Sequence, residues 1–276
     1  PDALYRWGRF GVMTKENRDA ADPLPGISKW KNEVALVTGA SSGIGWGIAL
    51  ALGRAGMKVA VTGRRKEQLE KLVAVLNDYE GEGLAIPADF SREEDIVQVF
   101  ERIRSEWGGV RVLINNAGLG YQEDLAQGSA ESWREMLNVN VLALTLCMQE
   151  AIKDMEPAGA GQIINISSVA GHRVPLGKQF GMYSATKYAV KALTEAMWGE
   201  LAAKGSPIKI ATISPGLVET EWHAKAFADE ARAQQRYAEI QSLQPEDIAD
   251  VVCFLLSTPA PVQINEITLR PIGQKV

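Results

Sequence analysis

Cysteine and histidine are scarce: the chain of 276 residues holds two of each. Cys147 and Cys253 cannot build a disulfide framework, and such sparing use suits a reducing compartment. With His172 and His223 they make too small a ligand set for a closed zinc site, so no metal is expected. A basic excess is missing too. The 29 Lys and Arg are outnumbered by 34 Asp and Glu, and a net charge of −5 argues against a nucleic-acid partner. No continuous apolar run matches a bilayer. Residues 34–53 pass twenty positions without a charge, but five are glycine and Thr38, Ser41 and Ser42 add hydroxyls. The small-residue pairs Gly39/Gly43 and Gly43/Gly47 have membrane-helix spacing without an apolar span to carry them. The first residues carry Asp2, Glu16 and Asp19 instead of a basic start and an apolar stretch. The expectation is a soluble, cytoplasmic protein with no membrane partner.

What is present is an ordinary globular composition, 46% hydrophobic and 23% charged, in a chain long enough for a large core. Residues 1–29 read as a loosely ordered arm ending in Asp22-Pro23-Leu24-Pro25-Gly26, with Tyr5, Trp7 and Phe10 available for packing. Beyond it, short apolar runs alternate with longer amphipathic stretches. The pattern predicts strands over residues 34–38, 58–62, 84–88, 110–114, 162–167, 208–213 and 266–269. Helices are predicted over 44–55, 66–79, 93–106, 131–155, 183–204 and 245–256. Strands separated by helices of this length imply right-handed crossovers and a parallel sheet covered on both faces, since the strands are apolar throughout. The expected fold is a single α/β domain over 30–276, a doubly wound parallel sheet flanked by helices on both faces. Ligands of such a sheet bind beyond the carboxyl ends of its strands.

The first strand ends in Thr38-Gly39-Ala40-Ser41-Ser42-Gly43-Ile44-Gly45, which opens the first helix. Glycines allow a tight turn and close approach of the backbone to a pyrophosphate, and the helix N-terminus offers N–H groups and a positive dipole end. The same letters contain Gly39-Ala40-Ser41-Ser42-Gly43, a literal G-x-S-x-G hydrolase elbow. That reading needs His172 or His223 as the base, leaves Gly45 unexplained and lacks an oxyanion segment. The second strand ends in Gly63-Arg64-Arg65 with no acid before Glu67. An NAD site places a carboxylate there for the ribose, whereas Arg64 and Arg65 suit a 2′-phosphate. The expected cofactor is NADP(H).

Further motifs follow in order: Asn115-Asn116-Ala117-Gly118, Asn140, Ser168, Tyr183-x3-Lys187 and Pro215-Gly216. With the glycine turn, they make residues 31–272 resemble the short-chain dehydrogenase/reductase family. The resemblance implies a Rossmann-type fold, an NADP-dependent alcohol dehydrogenase or carbonyl reductase, and a catalytic tetrad of Asn140, Ser168, Tyr183 and Lys187. It also implies cofactor contacts from Gly39, Ser41, Ser42, Gly43, Ile44 and Gly45, and from Asn116, Ala117 and Gly118. Asp89 and Phe90 match positions that contact adenine. Pro215, Gly216, Val218 and Thr220 match a segment that closes on the nicotinamide. Lys187 matches a residue that reaches the nicotinamide ribose, and Asn140 one that holds a water linked to that lysine.

Physical chemistry supports these roles. Tyr183 and Lys187 stand one helical turn apart, with Cβ atoms about 5–6 Å from each other. The ammonium is expected to lower the tyrosine pKa, so that the phenol can exchange a proton with a substrate oxygen. Ser168 follows a strand and can polarise that oxygen. The segment from Ser168 to Tyr183 is longer than in many family members, and its His172, Arg173, Pro175 and Lys178 are expected at the substrate entrance. Here His172 either touches substrate or is bonded to backbone. Ser167 to Pro175 resembles farnesol dehydrogenases and some hydroxysteroid reductases. Glu266 to Ile272 recurs among NADP-dependent hydroxy-acid and clavaldehyde reductases. A lid is expected over about 217–241, with Trp222, His223 and Phe227 on it. Apolar residues on several helix faces, Leu144, Met148, Met197 and Trp198 among them, suggest subunit contacts, and the resemblance implies a homotetramer or a homodimer. The rival class is a non-catalytic NADP(H)-binding sensor or scaffold of the same fold.

Overall fold

A computed structural model describes residues 26–79, 81–175, 180–222, 226, 229, 231, 237 and 240–274. Tyr5, Trp7, Phe10, Lys178, His223 and Phe227 lie outside them.

Seven parallel strands form one sheet in the order β3-β2-β1-β4-β5-β6-β7. They are β1 (Val34–Thr38), β2 (Lys58–Gly63), β3 (Glu82–Pro87), β4 (Val112–Asn115), β5 (Gln162–Ile166), β6 (Lys209–Pro215) and β7 (Glu266–Leu269). The order reverses between β1 and β4, which opens a crevice at their carboxyl ends. β1, β4 and β5 are buried along their whole length, so their branched apolar side chains pack on both sheet faces. At the edge, β3 is only partly covered.

Helices α1 (Gly43–Arg54), α2 (Lys66–Leu76) and α7 (Pro245–Ser257) bury one face of the sheet, with Ile48, Leu52, Leu72 and Val252 in a single cluster. On the opposite face Phe100 and Ile103 of α3 (Glu93–Trp107) meet Cys147 and Met148 of α5 (Leu144–Ala158) and Val190 of α6 (Gly181–Ala203). Both cysteines are buried as small apolar side chains, and desolvation pushes their thiols far up. The chain of bonds from Asn115 Nδ2 to Asn165 Oδ1 (2.9 Å) and from Asn165 Nδ2 to Thr194 Oγ1 (2.8 Å) joins β4, β5 and α6 in the core. It fixes α6 against the sheet, because a buried amide that loses its partner carries its full desolvation penalty.

The single helix expected over 131–155 is instead three pieces. α4 (Ala130–Leu137) runs into a π-helical turn, Asn138–Ala143, before α5 begins. Asn140 sits in that turn with its side chain committed to other partners. Such a widened turn inserts a residue into the helix and redirects a side chain, which periodicity alone does not reveal.

Candidate active site

The carboxyl ends of the strands surround a cleft of about 1220 Å³, larger than a pocket for one small ligand. Gly39, Ser41, Ser42, Gly43, Ile44, Arg64 and Arg65 line one end of it. Gly39 (φ +65°) and Gly43 (φ +57°) both adopt left-handed backbone. A Cβ on Gly39 would stand 2.8 Å from Ala117 Cα, so the turn and the end of β4 touch backbone to backbone. Gly45 is not in the cleft wall. It lies beneath the turn, where a Cβ would meet Asn116 Nδ2 at 2.5 Å and Gly39 O at 2.7 Å.

Thr38 and Asn116 brace this end. Thr38 Oγ1 accepts from the N–H groups of Asn116 (3.0 Å) and Ala117 (2.9 Å), and Asn116 Nδ2 donates to Thr38 O (2.9 Å). Ser42 precedes α1 without a side-chain cap among the described residues, and the helix has no acid in its first turn. The N–H groups and positive dipole end therefore face the cleft, a setting for an anion.

The two arginines differ. Arg65 Nε donates to Ser41 Oγ (3.2 Å), Nη2 donates to Ser42 Oγ (2.5 Å), and Nη1 pairs with Glu221 Oε2 (2.8 Å). Arg64 is mostly exposed and lies 3.8 Å from Glu135, whose carboxylate also accepts from Tyr121 Oη. That bond and burial push the Tyr121 phenol up to about 12. Asp89 and Phe90 line the cleft, but Asp89 accepts from Ser91 N (3.0 Å) in a tight turn and Phe90 packs largely into the core. The Ser91 bonds hold the Asp89 carboxyl below its ordinary value.

At the other end, Ser168 follows β5 and caps the short turn Val169–Gly171, accepting from Ala170 N (3.1 Å). Tyr183 and Lys187 project from α6, with Nζ 5.8 Å from the phenol ring centre. Lys187 Nζ donates to Ile166 O (2.9 Å), and Tyr183 is hydrogen-bonded to the Ser168 side chain. The expected lowering of the tyrosine pKa is not found. Burial pushes Tyr183 up to about 12, against a smaller downward pull from Ser168, and pushes Lys187 down to about 8. Desolvation is the larger effect on both groups, and the ammonium gives its hydrogen bond to the Ile166 carbonyl.

Asn140 is likewise buried, not in the cleft wall. Its Oδ1 accepts from Leu119 N (2.9 Å), and its Nδ2 donates to Leu119 O (2.8 Å) and Thr186 Oγ1 (3.0 Å). It thereby ties the loop after β4 to α6. A Cβ on Gly118 would lie 3.4 Å from Asn140 Oδ1 and 3.6 Å from Lys187 Nζ, so that glycine keeps open the space between them.

Pro215, Gly216, Val218 and Thr220 line the cleft after β6. Tyr237 Oη donates to Thr220 O (2.7 Å), fastening Tyr237 to the segment after β6. His172 does line the cleft, but its side chain binds neither backbone nor a free rim. Nε2 lies 2.6 Å from Glu266 Oε1 and Nδ1 lies 2.9 Å from Lys191 Nζ. With Lys191 Nζ donating to Nδ1, the other ring nitrogen faces the Glu266 carboxylate. The sequence motifs did not single out Gly120, Tyr121, Phe180, Ile240, Thr268 or Gln274, all of which line the cleft. Only Gly120, two residues beyond Gly118, had a signal in its residue type.

Comparison with known proteins agrees with this architecture. A family model described as short chain dehydrogenase matches residues 33–231. The human protein named dehydrogenase/reductase SDR family member 11 is 44% identical over 255 residues, covering 91% of this chain and 98% of its own. The Aedes aegypti farnesol dehydrogenase is 42% identical over 252 residues, covering 90% and 100%. Among solved structures, the closed form of a serine dehydrogenase complexed with NADP+ superposes with a TM-score of 0.82 at 31% identity, covering 88% of this chain and 96% of that one. The chain belongs to the short-chain dehydrogenase/reductase family. It is therefore an oxidoreductase, and the similar structures complexed with NADP+ or 5-hydroxy-NADP support binding of a nicotinamide dinucleotide. Among the described residues, no helix is long and apolar enough to cross a membrane.

Proposed function

We propose that the protein is an NADP(H)-dependent oxidoreductase that interconverts an alcohol and a carbonyl, with Tyr183 as the proton-transfer group. The observation that carries this reading is one cleft holding both a cradle for an anion and a half-buried Tyr183–Ser168 pair beside the buried Lys187. The relatives complexed with NADP+ or with 5-hydroxy-NADP support the phosphate-bearing cofactor.

The residues fit that cofactor. The turn at Gly39 and Gly43 and the uncapped start of α1 would hold the diphosphate, and Arg65 with Arg64 would hold the 2′-phosphate, with Arg65 giving up Glu221 for it. Bound nicotinamide supplies or accepts the hydride. In reduction, Tyr183 donates its proton to the substrate oxygen, and its raised pKa keeps it protonated at neutral pH. The Ser168 hydroxyl orients that oxygen, and the Lys187 charge stabilises the phenolate left behind. Asn140 is a positioning residue that holds Leu119 and Thr186 in place. Reduction is the working direction, because cells keep this cofactor pool reduced.

The same reading places the protein in the cytoplasm as a homotetramer, with a homodimer as the alternative. Exposed Leu137, Leu142, Tyr188 and Trp198 around α4 to α6 support subunit contacts. It also makes the segment over about 217–241 a substrate lid.

NADPH and NADH consumption by the purified protein across a carbonyl panel tests the function. Turnover is expected with NADPH in clear preference to NADH, and the preference should disappear in the Arg64→Ala, Arg65→Ala double variant. Equal use of both cofactors by the parent would remove the 2′-phosphate assignment.

A further inference from the structure

The substrate side of Tyr183 is walled by two rings. Trp222, from the segment after β6, has its ring centre 4.9 Å from that of Tyr183 at an interplanar angle of 49°. Phe180, at the start of α6, lies 6.0 Å from Tyr183 edge-on at 66° and 6.1 Å from Trp222 at 30°. All three line the cleft. The arrangement depends on a missing side chain: a Cβ on Gly120 would stand 2.5 Å from Trp222 Cζ2 and 3.0 Å from Tyr183 Cδ2. Gly120 does not have positive φ, so the space it leaves is its contribution.

We infer that Trp222 and Phe180, seated through Gly120, select carbonyl substrates carrying a flat apolar group beside the reacting carbon. This rests on the oxidoreductase reading above and names its substrate class. The two rings are too close to sandwich a third, which needs two contacts of about 3.5–4 Å, or roughly 7 Å in all. The substrate's apolar flank therefore lies along the wall, with its oxygen directed to Tyr183 and Ser168. An aromatic or unsaturated flank gains burial and ring contact there. A short hydroxylated carbonyl would lose hydration against the same surface without hydrogen bonds in return. Leu119 and Leu217 continue the apolar lining.

Steady-state kinetics with NADPH, comparing 4-nitrobenzaldehyde with glyceraldehyde, tests the inference. The parent should prefer the aromatic aldehyde. In Trp222→Ala the ratio of the two kcat/KM values should fall about tenfold or more, chiefly through KM for the aromatic aldehyde. Trp222→Phe should restore most of the ratio, and Gly120→Ala should reproduce the loss by displacing the indole. A parent preference for glyceraldehyde, or equal losses on both aldehydes in all variants, overturns the wall as a selector. A binding readout separates this from failure of the underlying reading. With NADP+ bound, 4-nitrobenzaldehyde should quench the part of the fluorescence that Trp222→Phe removes, whether or not turnover occurs. Absence of that quench at saturating aldehyde also overturns the inference, whereas absence of turnover with the quench intact counts against the oxidoreductase reading alone.

Discussion

The two ends of the cleft are built on different principles. The glycine-turn end is backbone held in place from close by: Gly39 against Ala117, Thr38 Oγ1 accepting two main-chain N–H groups, Asn116 Nδ2 reaching back to Thr38 O. The Tyr183 end is side chain on side chain. Trp222 rests on Tyr183, His172 bridges Glu266 and Lys191, and those residues come from widely separated segments. The first end has little freedom to change without losing the fold. The second can be re-cut by single substitutions while the sheet beneath it stands.

That contrast can be broken most severely at Gly45. In Gly45→Ala the new methyl meets Asn116 Nδ2 at 2.5 Å and Gly39 O at 2.7 Å, and a backbone atom cannot step aside as a side-chain tip can. NADPH affinity should fall roughly tenfold or more, with about 1–3 kcal/mol of stability lost, measured by titration calorimetry and urea unfolding. Retained affinity would mean the turn yields more easily than its contacts indicate.

A second effect comes from pH at the catalytic end. Lys187, lowered to about 8, loses its charge above that pH, while Tyr183, raised to about 12, keeps its proton. Carbonyl reduction should hold from neutral pH to about 8 and then decline, because the phenolate loses its stabilising cation. Alcohol oxidation, which needs the phenolate, should rise with pH by up to about tenfold per unit below 12. Initial rates in both directions from pH 6 to 10 check the signs, and parallel profiles would contradict them.

Thr38→Val sharpens the comparison further. It keeps the shape of the side chain and removes the acceptor of two N–H groups, so stability should fall by about 1–3 kcal/mol in denaturant unfolding. The aldehyde preference set at the other end should remain. The smallest expected effect is at Glu221, whose pair with Arg65 is largely exposed. Glu221→Gln should tighten NADPH binding by roughly two- to fivefold at low salt, with the gain shrinking as salt rises. A weakened affinity would show that Glu221 assists the cofactor instead of competing with it.

Legibility in the sequence follows the same division. The seven strands and their parallel direction were visible because buried strands are short apolar runs and crossover helices are amphipathic. The structure brings the glycine turn, Ser168, Tyr183 and Lys187 to one cleft, and each could be picked out beforehand because a strand end, a tight turn and a one-turn helical spacing are local facts. Asn140 was placed on the wrong kind of helix: a π-turn has no periodic signature, and its bonds to Leu119 and Thr186 are tertiary. The pKa of Tyr183 went the opposite way because burial, which no spacing reports, outweighs the pull of Ser168. Phe180, Trp222 and Gly120 meet only through the folded chain, and so does the Arg65–Glu221 pair.

The most direct test of the account is NADPH oxidation by Tyr183→Phe beside the parent, with cofactor binding measured on both. The account predicts a loss of about 10²–10⁴ in turnover with NADPH affinity unchanged, since the variant removes only the proton donor. Turnover in the variant close to that of the parent would contradict it.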